Sequence, residues 1–108
     1  MEYKELSDKA RRIKEAYNEL NQSKGKKIWG VKDYAQGLAG DTGDLLKLIM
    51  KFENQDNPRV TRKELRHELA DCLWSLIVLS QELEVDLENE FIINTDYLIQ
   101  KLSEEYEE

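Results

Sequence analysis

Apolar side chains return at alternating steps of three and four along most of this 108-residue chain, which contains a single proline. Because 3.6 residues complete a helical turn, that spacing lines them up on one side of an α-helix. The first stripe, Tyr3, Leu6, Ala10, Ile13, Tyr17 and Leu20, predicts a helix turned toward a bundle core. Ser23 to Gly30, with two glycines and three lysines, breaks the pattern as a connection would. A second stripe from Lys32 to Phe52 reads Tyr34, Leu38, Asp41, Leu45, Leu48 and Phe52, so a carboxylate, Asp41, is expected to point inward.

The segment Glu53 to Val60, with Asn57-Pro58, predicts a loop, and Thr61 with Glu64 fits a capping box opening a third helix. Its stripe is Leu65, Leu69, Cys72, Leu76, Leu79 and Leu83, but Leu69 to Leu79 is apolar almost all round, broken only by Asp71 and Ser75. Such a helix needs cover on several sides. Three short neighbours hardly supply it, so a second subunit is expected. A fourth helix starts at Asp86 as N-cap, with Glu88 in its first turn and the stripe Leu87, Phe91, Asn94, Leu98 and Leu102. The acidic tail Glu104 to Glu108 is expected to fray. The fold class that follows is all-α: a four-helix bundle in one domain, 1–108, assembled as a dimer or higher oligomer.

A net charge of -7 works against general binding to nucleic-acid backbones or anionic membranes, which reward clustered Lys and Arg, and leaves metal ions as natural partners. Cys72 is the single cysteine and lies among leucines, as an inert core thiol in a reducing compartment would. Charged residues follow Met1 at once, and no apolar run has the length and flanks of a signal or a membrane span, so a cytoplasmic location is expected.

The chemistry is expected where two acidic pairs lie on neighbouring helices, Asp41-Thr-Gly-Asp44 and Glu68-Leu-Ala-Asp71. A spacing of three keeps two carboxylates on one helix face, one turn apart. Four carboxylates drawn together repel one another and resist ionisation unless a cation supplies charge, and oxygen-only ligands favour Mg²⁺ or Mn²⁺. The plainer reading is a solvated acidic face; Asp41 in a core stripe and Asp71 inside an apolar run favour the metal site. Gly37, Gly40 and Gly43 each cost about 1 kcal/mol of helix propensity. Either a helix or ligand comes close beside the acids, the favoured reading, or the segment is irregular. His67, the only histidine, lacks the second histidine of a zinc helix and is expected at the surface.

Trp29, the run Gly37-Leu-Ala-Gly-Asp-Thr-Gly-Asp-Leu45, the run Glu68-Leu-Ala-Asp-Cys-Leu-Trp74 and Val85-Asp-Leu-Glu88 follow one another in this order. Together they resemble the MazG-like all-α nucleoside triphosphate pyrophosphohydrolase family over most of the chain. The resemblance implies that Asp41, Asp44, Glu68 and Asp71 bind Mg²⁺ and act in catalysis, splitting a nucleoside triphosphate into monophosphate and pyrophosphate, with a spare carboxylate as general base. It also implies a dimer or tetramer. Family members usually carry Glu where this chain has Asp41 and Asp44, and a Lys-Asn pair where it has Asn94-Thr95. Those departures motivate an alternative, a non-catalytic module that binds a nucleotide or a protein. Asn94 remains a candidate substrate contact. Lys47 and Lys51, one and two turns beyond Asp44, either meet phosphate oxygens or stand solvated. Trp29 either stacks on a base or plugs the bundle end, and Trp74 is expected to pack in the core or a subunit interface.

Overall fold

The computed structural model describes residues 2–54 and 58–107, and within them the chain is all-helical. Four helices follow one another: α1, Tyr3–Ser23; α2, Val31–Glu53; α3, Pro58–Glu82; and α4, Leu87–Glu107. No helix is long and apolar enough to cross a membrane among the described residues.

Local chemistry sets the helix ends. α1 closes on Gly25 in the left-handed region (φ 69°), with the Lys26 amide donating to the Asn21 carbonyl at 2.8 Å. That geometry is cheapest at glycine. At the start of α2 the Asp33 carboxylate accepts the Gly30 amide at 3.0 Å and pairs with Lys27 at 3.1 Å. Those two donors hold its carboxyl below the ordinary range. α3 opens at Pro58, a turn earlier than the Thr61–Glu64 capping box predicts, so Thr61 lies buried inside the helix. Proline suits the first helical position, where its fixed φ helps and no amide hydrogen is needed. The expected loop is correspondingly shorter, and Asn57 lies outside the described residues. α3 closes on Glu84, also left-handed (φ 56°), and the Val85 amide donates to the Ser80 carbonyl at 2.9 Å. Two residues on, Asp86 caps α4 as expected by accepting the Asn89 amide at 3.1 Å. α4 then runs to Glu107 rather than fraying from Glu104, because Gln100, Lys101, Leu102 and the glutamates are good helix formers.

The principal packed unit is the antiparallel pair α2 and α3, with α1 laid on α3. On α2 the stripe Tyr34, Leu38, Asp41, Leu45, Leu48 and Phe52 is buried or half-buried throughout, as its spacing predicts, with Asp33 and Gly37 half-buried beside it. The core gathers Ala10, Tyr34, Ile77 and Val78, with Trp74, Leu79 and Leu87 against it. Trp74 therefore packs in the core: its ring meets Tyr17 and Tyr34 edge to face, and its indole N–H donates to the Ala10 carbonyl at 3.3 Å.

α1 and α3 depart from their stripes. α1 is rotated so that Ser7, Ala10, Lys14 and Asn18 turn inward, while Ile13 and Tyr17 stay about half exposed. Polar contacts hold this face: the Gln81 amide donates to the Ser7 carbonyl and hydroxyl at 2.9 and 2.8 Å, and Lys14 pairs with Glu82 at 3.1 Å. On α3 the face toward α2 is Thr61, Leu65, Glu68, Cys72, Ser75 and Leu79, leaving Leu69, Leu76 and Leu83 exposed. Beyond Leu87, α4 likewise leaves Phe91, Ile92, Leu98, Ile99 and Leu102 exposed. The radius of gyration, 17.6 Å, exceeds the about 13 Å of a compact chain of this length, as a projecting helix requires.

Candidate metal and substrate site

Antiparallel packing of α2 on α3 brings the two acidic pairs to one stretch of their seam. Asp41 is half-buried and its Oδ2 accepts a 2.7 Å hydrogen bond from the Ser75 hydroxyl. Glu68 and Asp71 are half-buried on α3, and Asp44 is exposed at the seam's edge. Burial of Glu68 and the like charges of Asp71, Asp41 and Asp44 together push its carboxyl above the ordinary glutamate range. All four predicted carboxylates therefore share one electrostatic neighbourhood.

Two features bear on a metal. Glu68 Oε2 is buried without a hydrogen-bond partner, and a buried carboxylate oxygen in that condition is costly unless a cation or donor meets it. The donor set is all oxygen, as Mg²⁺ or Mn²⁺ prefers. Among the described residues no three His, Cys, Asp or Glu side chains converge closely enough to hold an ion as they are placed. The residues fit a divalent cation in kind and charge, and gripping one requires the carboxylates to draw together.

Two clefts flank the acids along the seam. The first, about 540 Å³, is aromatic: Tyr17, Trp29 and Trp74 line it with Asp41, Asp71 and Ser75. Trp29 is half exposed, edge to face with Tyr34, and its ring lies 3.6 Å from where a Cβ on Gly37 would stand. Such a ring can stack on a planar group or close the helix end, the two roles open to it from sequence. The second cleft, about 660 Å³, is charged: Lys47 and Lys51 from α2 and Lys63 from α3 line it, with Asp44 and Glu68 at one end and Glu64 next to Lys63. His67 borders both clefts; it is exposed, as expected, and lies 3.4 Å from Asp71.

Asn94 is not brought to this place. It lies exposed on α4 and lines neither cleft. α2 is regular through all three glycines, which removes the irregular segment, and a Cβ at Gly40 or Gly43 would meet nothing within 4 Å. They lie off the stripe that faces α3, so no helix of the same chain presses on them. Cys72 is half-buried behind the acids, and burial together with Asp41, Glu68 and Asp71 raises its thiol above the ordinary value, as an inert thiol requires. Sequence reasoning missed Ser75, Tyr17 and Lys63. Lys63 was signalled only by its four-residue spacing to His67, one residue before Glu68.

No protein-family model, curated protein or solved structure matches the chain.

Proposed function

We propose that this protein is a metal-dependent nucleotide pyrophosphohydrolase of the MazG-like type, cleaving a nucleoside triphosphate to monophosphate and pyrophosphate. The observation that carries the reading is the orphaned, buried Oε2 of Glu68 among three further carboxylates, between an aromatic cleft and one lined by three lysines. Asp41, Asp44, Glu68 and Asp71 would hold Mg²⁺ or Mn²⁺. A divalent ion bound there supplies charge neutralisation and activates the attacking water. The chain's own residues do the rest: Trp29 stacks on the base, and Lys47 and Lys51 hold phosphate oxygens. A carboxylate left free of the ion accepts the water's proton as oxygen attacks the α-phosphorus and the bond to the pyrophosphate group breaks.

Assembly belongs to the same proposal. Leu69, Leu76 and Leu83 on α3 and Phe91, Ile92, Leu98 and Leu102 on α4 leave large apolar side chains exposed, as an association surface does. We assign them to a homodimer or homotetramer in the cytoplasm. One observation favours the second reading, a non-catalytic nucleotide-binding module: Asp41, a short side chain where the family carries Glu, is already engaged by Ser75.

Pyrophosphate release from a panel of ribo- and deoxynucleoside triphosphates, with Mg²⁺ and with chelator, separates the two. Metal-dependent release with monophosphate as co-product is expected, falling about a thousandfold, roughly 4 kcal/mol of barrier, in Asp71→Asn. Folded, assembled protein that releases none establishes the binding module.

A further inference from the structure

We infer that Lys63, facing Lys47 and Lys51 across the α2–α3 cleft, completes a polyphosphate-binding site, and so fixes the direction in which the substrate lies along the seam. The inference rests on the pyrophosphohydrolase reading for its substrate and adds to it a residue and a polarity.

In a chain of net charge -7, three lysines from two helices line a single cleft, together with the carboxylates of Asp44, Glu64 and Glu68. Among the described residues none of the three is within ion-pair distance of a carboxylate, whereas Lys14 and Lys27 each have one at 3.1 Å. Ammonium groups gathered round a cleft and left without partners repel one another and attract an anion. The acids narrow the kind of anion, because Asp44 and Glu68 stand at one end and Glu64 stands next to Lys63, and all three repel a simple one. An anion that satisfies both ends carries negative charge onto the lysines and shares a divalent cation with the acids. A polyphosphate does so, since its oxygens bind Mg²⁺ and ammonium groups along one short chain.

The aromatic cleft supplies the polarity. It lies toward the other end of the seam, where the rings of Tyr17, Trp29 and Trp74 line it with Asp41 and Asp71, and no lysine is among its walls. From Asp41 to Lys51 the groove runs ten residues of α2, about 15 Å at the helical rise. The base thus lies at the tryptophan end, the α-phosphate beside the carboxylates, and the β- and γ-phosphates among the lysines. Pyrophosphate is then the product held by Lys47, Lys51 and Lys63.

The test uses inorganic tripolyphosphate with Mg²⁺ as probe and a nucleoside monophosphate as counter-probe, both titrated calorimetrically into the full chain. Lys63→Ala is expected to weaken tripolyphosphate binding about tenfold, one charge-assisted contact, with Lys63→Arg restoring it and monophosphate binding unchanged. Added salt weakens the tripolyphosphate interaction. Tripolyphosphate binding that is absent in the wild type, or the same in Lys63→Ala, overturns the inference, as does an equal loss for the monophosphate. Lys63-dependent tripolyphosphate binding by a protein that hydrolyses no triphosphate sustains the site and removes the hydrolase reading.

Discussion

α1 and α2 carry stripes of the same design, yet the two helices use them in opposite ways. α2 buries its stripe against α3, Asp41 included, whereas α1 lays Ser7, Ala10 and Lys14 on α3 and leaves Ile13, Tyr17 and Leu20 about half exposed. α4 goes further and exposes nearly all of its stripe. Periodicity thus records where a helix makes apolar contact, and is silent on whether the partner belongs to the same chain. The difference also separates labour: the α2–α3 seam holds the polar site, and the outward faces of α1, α3 and α4 hold the surplus apolar surface.

The sharpest way to break this contrast is on α3, which has both kinds of face. Val78 is fully buried and Leu76 is 41% exposed. Val78→Ala is expected to cost about 2 kcal/mol in denaturant titration at any protein concentration. Leu76→Ala is expected to leave the dilute chain nearly unchanged and to weaken assembly in sedimentation. Equal losses from both, independent of concentration, would show that the outward stripe is not an interface.

A smaller effect probes the seam. Because the carboxyl of folded Glu68 ionises above the ordinary glutamate range, ionisation penalises the folded state. Stability falls as pH rises from the unfolded value through the folded one, and the penalty is complete above both. Glu68→Gln removes it, so in chelator at neutral pH the variant should melt a few degrees higher than wild type. The gap should close as pH drops below the ordinary glutamate range. The variant should also lose the stabilisation that Mg²⁺ confers on wild type; a lower melting temperature in chelator would deny that the acids repel.

The smallest effect lies on α2, away from the seam. Gly40→Ala in open space should stabilise the chain by about 1 kcal/mol through helix propensity. If the assembled form brings a second subunit against that glycine, the same substitution weakens association, and sedimentation beside thermal melts distinguishes the two.

These contrasts also mark what the residues disclosed in advance. Four helices and the α2 stripe were legible because each follows from local spacing, and the Asp86 cap because one side chain reaches its own helix. The placement of the acids was legible because a carboxylate interrupts an apolar stripe. The rotation of α1 was not: it depends on Ser7, Gln81, Lys14 and Glu82, more than sixty residues apart along the chain, finding one another. Lys63 stayed hidden for the same reason, since nothing local says that a lysine on α3 faces two on α2. Asn94 was placed by resemblance alone, and the projecting course of α4 carries it away from the acids.

The joint between α3 and α4 turns on a single backbone angle. Glu84 occupies a conformation that costs a residue with a Cβ about 1 kcal/mol, where the equivalent turn after α1 uses glycine. That expense yields a narrow hinge. α4 spans 21 residues, so it is a lever about 30 Å long, and one degree of rotation at its root moves the far end by about half an ångström. The torsion of one glutamate, more than any contact along the helix, therefore sets where the tip of α4 meets whatever it touches.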